Sequence, residues 1–214
     1  MWRGLLAAWR EVRPIVTSLI GINLIALLFR KGWLALLSSS LLGFVAYFFR
    51  DPERVPASVA PDLIVAAADG VITDIELVEE PHFFQGSARR VSVFLSLFDV
   101  HVQYCPYDGQ AQLLRYIPGG FAPAFLKDTG ENESNLIGLS TLRGSIAVKQ
   151  IAGILARRIV CWPQVGDNLA RSQRLGLIKF GSRVDLFLPP DVELFVHVGQ
   201  RVAGGQTIVG RWRS

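Results

Sequence analysis

Two long uncharged runs crowd the start of this chain. Ile15 to Phe29 is apolar except for Thr17, Ser18 and Asn23, and after Arg30-Lys31-Gly32 the segment Trp33 to Phe49 is again without charge. That much apolar sequence must be buried in a core or in a bilayer. At ~1.5 Å per helical residue, neither run comfortably crosses a hydrocarbon core of ~30 Å. The pattern predicts two short helices joined at Arg30-Lys31-Gly32, a hairpin that dips into a bilayer or just spans it by thinning it. Ahead of them Trp2, Leu5, Leu6, Trp9 and Val12 recur at helical spacing with Arg3, Arg10 and Arg13 elsewhere on the turn. This predicts an interfacial helix with tryptophan anchors. A cleaved signal peptide is disfavoured, because no small-x-small site follows Phe29 and a second apolar run comes instead.

Charge sharpens the division. Of 22 Lys and Arg and 18 Asp and Glu, residues 1–50 hold six bases and one acid (Glu11), leaving 16 bases and 17 acids in residues 51–214. The net +4 therefore belongs to the apolar N-terminus, whose natural partner is an anionic membrane surface, and no nucleic-acid partner is expected. More bases flank the outer ends of the hairpin than its middle. The positive-inside rule then keeps residue 51 onward on the cytoplasmic side. The expectation is a peripheral or monotopic protein of the cell membrane, with residues 1–50 as anchor and 51–214 as a separate domain.

Beyond Arg50 the chain breaks into short β-rich runs separated by Gly, Pro and Asp. The clearest are Val91–Phe98, Ala111–Ile117, Ser145–Ile151, Arg158–Trp162, Leu175–Phe180, Val184–Leu188 and Leu194–Val198, with helix at Pro123–Lys127 and briefly at Ile151–Ala156. The fold class expected is α+β, mostly β, a compact barrel-sandwich-like domain behind a helical anchor. Val165-Gly166-Asp167 and Val198 to Gly205 have the Gly-rich turns of small carrier domains, yet none of Lys127, Lys149 or Lys179 lies in those turns. A carrier role is weak. Cys105 and Cys161 have no metal spacing, and His82, His101 and His197 are scattered, so no metal site is expected.

Three segments can carry chemistry. Ala68-Asp69-Gly70 places an acid beside glycine at the end of an apolar run, which taken alone is a turn aspartate bonding its own backbone. In Phe98-Asp99-Val100-His101-Val102 the acid and the histidine are two apart, on one face of an extended chain. Burying both costs free energy unless they serve each other or a ligand. Phe180-Gly181-Ser182-Arg183-Val184 puts a Gly-Ser pair between two β-rich runs. Usually that is a kink or bulge. It is also what a chain needs to cut itself: Gly181 permits an unusual backbone geometry, and the Ser182 hydroxyl can attack the preceding carbonyl once a base removes its proton.

Taken in order, these segments resemble phosphatidylserine decarboxylases of the short, single-domain prokaryotic form. The resemblance runs from about Phe48 to Trp212. It also includes Phe49 to Arg54, Pro106-Tyr107-Asp108-Gly109, Tyr116-Ile117-Pro118-Gly119, Asn132-Glu133, Gln150-Ile151-Ala152-Gly153 and Ala156-Arg157-Arg158-Ile159-Val160. It implies a pyruvoyl enzyme that makes its own cofactor. Ser182 would attack the Gly181 carbonyl, and elimination would separate residues 1–181 from 182–214. Loss of ammonia would then leave a pyruvoyl group, derived from Ser182, capping the shorter chain. Family logic makes His101 the general base and Asp69 its orienter, the Ser-His-Asp division of labour. The substrate amine would then form a Schiff base with the ketone, carbon dioxide would leave into that electron sink, and His101 would reprotonate the carbon to give phosphatidylethanolamine. The two self-cleaved chains would stay associated.

The chain departs from the family pattern in three places. Ala67 stands where Pro usually precedes Ala-Asp-Gly, Tyr104 where longer relatives carry a second histidine, and Ser134 where Arg commonly follows Asn-Glu. Arg183 and Asp99 are candidate substrate contacts. Arg50, Arg54 and Arg183 are candidates by charge for the lipid phosphate. Archaetidylserine, the ether-lipid counterpart, shares the headgroup and is not separated by these motifs. A non-catalytic membrane-tethered scaffold is the alternative from a different class, and the sequence leaves a homo-oligomer open.

Overall fold

Helix α1 (Leu5–Leu28) and helix α2 (Gly32–Phe48) follow the two apolar runs and are separated at Arg30-Lys31, where Arg30 takes a positive φ of 55°. The computed structural model describes residues 5–58, 60–120, 132–153, 158–179 and 182–213, in two compact units, Met1–Pro52 and Glu53–Ser214. The expected division of the N-terminus into an interfacial helix and a short apolar helix is corrected: α1 is continuous for 24 residues with Pro14 inside it. Pro14 forfeits one backbone donor without ending the helix, and Thr17 Oγ1 lies 3.0 Å from the carbonyls of both Arg13 and Pro14. The continuous helix is about 36 Å long at ~1.5 Å per residue. Its Glu11–Leu28 window, of mean hydropathy 1.6, is long and apolar enough to cross a membrane, whereas α2 is a shorter apolar helix. The two helices are latched by Asn23, whose Nδ2 lies 2.9 Å from Ala35 O, 2.9 Å from Ser38 Oγ and 2.8 Å from Ser39 Oγ. Such interhelical amide contacts hold apolar helices together where the hydrophobic effect gives no preference between helix and lipid.

The second unit is mostly β, as expected, and its main element is a curled eight-stranded sheet. In spatial order the sheet holds β13 (Arg201–Val202), β2 (Gly70–Glu80), β3 (Gly86–Leu95), β11 (Ser182–Leu188), β7 (Gly144–Ala152), β6 (Ser134–Thr141), β5 (Gly109–Ile117) and β9 (Asn168–Leu169). Every pairing is antiparallel. A small sheet places β10 (Arg174–Ile178) between β4 (Val102–Tyr104) and β8 (Ile159–Cys161), and another places β14 (Ile208–Arg211) between β1 (Leu63–Val65) and β12 (Glu193–Leu194). The brief helix expected at Ile151–Ala156 is corrected at its start, since Ile151 and Ala152 continue β7. Pro123–Lys127 lies outside the described residues.

Strand β11 is central, and every residue of it is buried. Its alternation divides two cores. Val184, Leu186 and Leu188 join the main cluster with Val91, Val93, Leu95, Val148 and Ala152, while Phe187 packs in a smaller cluster with Ala88, Leu136 and Ala147, flanked by Phe83 and Phe84. Phe83 and Phe84 are held there by Glu80. Its carboxylate accepts the backbone N–H groups of His82, Phe83 and Phe84 at 3.0, 2.7 and 2.8 Å, so His82 belongs to a tight turn.

Candidate active site

Ser182 is the first residue of β11. It pairs with Leu95 on one side and Ala152 on the other, and its side chain projects onto the main-core face with both of them. It is wholly buried, and its Oγ has no hydrogen-bond partner among the described residues. An orphaned buried hydroxyl is unusual, because folding normally supplies each such group with a partner. The polypeptide reaches this position from the small sheet: β10 ends at Ile178, and the main sheet resumes at Ser182. Gly181 lies outside the described residues.

His101 flanks that crossing. Its carbonyl accepts the Ile178 N–H at 3.3 Å, which places it beside the last residue of β10, four positions before Ser182. The ring is buried, with Nδ1 2.9 Å from the carbonyl oxygen of Asp99. A carbonyl can only accept, so Nδ1 carries a proton, and in the neutral ring the lone pair lies on Nε2. That is the tautomer a general base at Nε2 requires.

Asp99 holds this turn together. Its Oδ2 accepts from Ser96 N at 2.8 Å and Ser96 Oγ at 2.7 Å, and its Oδ1 accepts from Arg201 Nη1 at 2.6 Å. Burial pushes its carboxyl up, but the Ser96 hydroxyl, the Ser96 N–H and Arg201 more than offset this and hold it below the ordinary 3.8.

Asp69 sits at the mouth of β2, before Gly70. At Gly70 φ is +146°, and a Cβ would lie 2.1 Å from Phe94 O, so only glycine lets the turn press against β3 one residue from Leu95, the partner of Ser182. The Asp69 carboxylate accepts Arg54 Nη2 at 2.9 Å and 2.7 Å and the Gly204 N–H at 2.8 Å. Burial raises its pKa above 3.8 against the pull of Arg54 and Gly204, and the nearby Asp99 charge raises it further. The Asp69 carboxylate feels the Asp99 charge, but the expected orienting contact to His101 is corrected: Nδ1 of the ring is bonded to the Asp99 carbonyl, and the partners of Asp69 are Arg54 and Gly204.

Arg183 faces the other way. Its Nε lies 2.6 Å from Asp185 Oδ1, its Nη2 3.1 Å from Asp185 Oδ2 and 2.9 Å from Ser92 Oγ, and only 3% of the residue is exposed. This geometry favours bracing the sheet over gripping a headgroup. Arg54, a phosphate candidate by charge, is the partner of Asp69. Asn132 and Glu133 lie against the same strand end: Asn132 Nδ2 donates to Ala152 O at 2.8 Å and Ala152 N to Glu133 O at 2.9 Å. Sequence reasoning missed Arg201, Gly204 and Ser96. The first two fall in the Gly-rich turn Val198 to Gly205, likened above to those of carrier domains, and nothing local links position 204 to position 69.

Residues 41–210 match the family model for phosphatidylserine decarboxylase. The chain is 46% identical over 204 residues, 94% of each chain, to a phosphatidylserine decarboxylase proenzyme of Symbiobacterium thermophilum. It is 44% identical over 182 residues, 84% of each, to the proenzyme of Carboxydothermus hydrogenoformans. With that of Nitrosomonas eutropha it shares 39% over 207 residues, 95% of this chain and 94% of the other.

Proposed function

The chain belongs to the phosphatidylserine decarboxylase family, and on that premise we propose that it is a self-processing enzyme in which Ser182, His101 and Asp69 make and then serve a pyruvoyl group. It is a decarboxylase that converts phosphatidylserine to phosphatidylethanolamine and carbon dioxide. The observation that carries the self-processing reading is Ser182 Oγ, buried without a partner among the described residues at the head of the central strand.

The chemistry follows from the residues. His101 Nε2 takes the hydroxyl proton as Ser182 Oγ attacks the Gly181 carbonyl, and the amide becomes an ester with release of the Ser182 nitrogen. Removal of the Ser182 α-proton expels the ester oxygen, leaving a C-terminal carboxylate at Gly181 and dehydroalanine at position 182. Water then displaces ammonia to leave the ketone. A pyruvoyl group supplies the electron sink for decarboxylation of an α-amino acid headgroup. With that group in place, His101 would be the residue that holds and supplies a proton to the headgroup carbon. Asp69, with Arg54 and Gly204 fixing its carboxylate, holds negative charge beside the histidine turn, where an imidazolium forms. Association of the fragments 1–181 and 182–214 is supported by β11, which is hydrogen-bonded to β3 and β7 on both sides. α1, long and apolar enough for a membrane, supports anchorage near a lipid substrate, with the N-terminal bases setting the cytoplasmic side.

The test is to present phosphatidylserine in mixed micelles to the purified protein and to label it with a carbonyl-reactive hydrazide. Carbon dioxide release with label confined to the fragment 182–214 is expected. Decarboxylation by a preparation whose short fragment begins with an ordinary amine would overturn the pyruvoyl reading.

A further inference from the structure

Between the two sheets runs a line of buried amides that the chemistry above does not use. Asn135 on β6, Gln150 on β7 and Gln103 on β4 are all buried, the two glutamines completely. Asn135 Nδ2 donates to Gln150 Oε1 at 3.0 Å, Gln150 Nε2 donates to Gln103 Oε1 at 2.9 Å, and Gln103 Nε2 donates to the His101 carbonyl at 2.8 Å. Each amide gives its N–H to the next and takes from the one before, so the line has a single direction and ends on the histidine. Flipping any one amide would set donor against donor and acceptor against acceptor. The line must pass β10, which lies between β4 and β8. It does so at Gly176, in register with Gln103 and Cys161, where an added Cβ would lie 2.9 Å from Gln150 Nε2 and 2.0 Å from Val160 O.

Burying three primary amides is unfavourable unless their hydrogen bonds are completed. Apolar side chains would fill the same space without that demand. What the amides add is a fixed linkage: the His101 main chain, just ahead of β4, is tied to β6 and β7, and β7 pairs directly with Ser182 through Ala152. We propose that Gln103 and Gln150 are positioning residues, an amide line that fixes the His101 backbone relative to the strand carrying Ser182, so that self-cleavage depends on it. This rests on His101 being the base that activates Ser182.

The experiment follows conversion of the full-length chain to its two fragments across a pH series. Gln103→Met keeps the volume and removes the donor to His101. It is expected to slow maturation roughly ten-fold or more, the rate equivalent of one lost buried hydrogen bond, and to move the pH midpoint of the rate. Added to His101→Ala, it should produce no further loss, since a positioning residue acts only through the group it positions. Gln150→Glu keeps the shape and regains a donor to Gln103 only when protonated, so its rate relative to the parent should rise as pH falls. Losses that multiply with His101→Ala, or a Gln150→Glu ratio constant across pH, would overturn the inference and leave the amides as packing. Maturation of His101→Ala at the parental rate would instead overturn the base assignment. A slow His101→Ala beside a Gln103→Met of parental rate would sink only the positioning role.

Discussion

The two faces of β11 bury polar groups equally well and treat them in opposite ways. On one face Arg183 and Asp185 are buried, paired with each other through two contacts, and joined by Ser92. On the other, Ser182 is as deeply buried, and its hydroxyl has no partner among the described residues. Burial of a polar group alone does not signal chemistry. A buried group whose hydrogen bonds are complete is structure, whereas Ser182 Oγ, left incomplete among the described residues, is the group proposed above as the reagent.

The largest effect should come from removing the reagent. Ser182→Ala is expected to leave the chain uncut, read as one undivided band after prolonged incubation, because no side-chain nucleophile remains at the junction. Normal processing would erase the contrast between the faces. His101→Ala should slow maturation by about 10²–10⁴-fold, the usual worth of a general base, measured at a temperature where the variant is shown to remain folded. On the braced face, Asp185→Ala strands the Arg183 charge and is expected to destabilise the fold by about 3–5 kcal/mol in denaturant titrations. Replacing both partners, Arg183→Met with Asp185→Leu, should cost less than Asp185→Ala alone, since the Arg183 charge leaves with its partner and only Lys149 opposite loses a counter-charge. A double variant as unstable as Asp185→Ala would show that the pair does more than satisfy itself.

The smallest effect concerns the histidine turn. Because Asp99 is held below the ordinary 3.8 in the folded protein, its contribution to stability is present above that value and is lost as pH falls through the folded pKa. Asp99→Asn should therefore flatten the acid limb of a stability–pH curve without changing its neutral plateau in shape. An unchanged acid limb would remove Asp99 from the electrostatics of the turn.

Much of this was legible in the sequence, and the rest was hidden for identifiable reasons. Strands β5, β7 and β11 declare themselves by short apolar runs bounded by glycine or proline. Strand β2 does not. Asp74 and Glu76 interrupt its alternation, and both are answered by Arg90 at 2.9 Å from a different strand. A bulge between Ile72 and Asp74 also shifts the register, so that Ile72 and Ile75, three apart, pack against one core. Strand β6 was masked by Gly138, which reads as a loop residue but leaves room for the Phe83 ring, 2.5 Å from where a Cβ would stand. At the site, Ser182, His101 and Asp69 stand out because their neighbours form motifs. Arg54, Gly204 and Arg201 reach the site across long sequence separations, where only folding reveals the partnership. The length of α1 was misjudged because the amphipathic spacing of Leu5 to Val12 and the apolar run from Ile15 differ in character, yet one helix carries both.

The central claim is that one backbone bond in this protein cuts itself. Mass spectrometry of the intact, freshly purified full-length protein tests it most directly. The account predicts two species that divide the chain between positions 181 and 182, with the shorter lighter than its sequence by the loss of the amine. A single species of unbroken mass in a preparation that decarboxylates phosphatidylserine would contradict it.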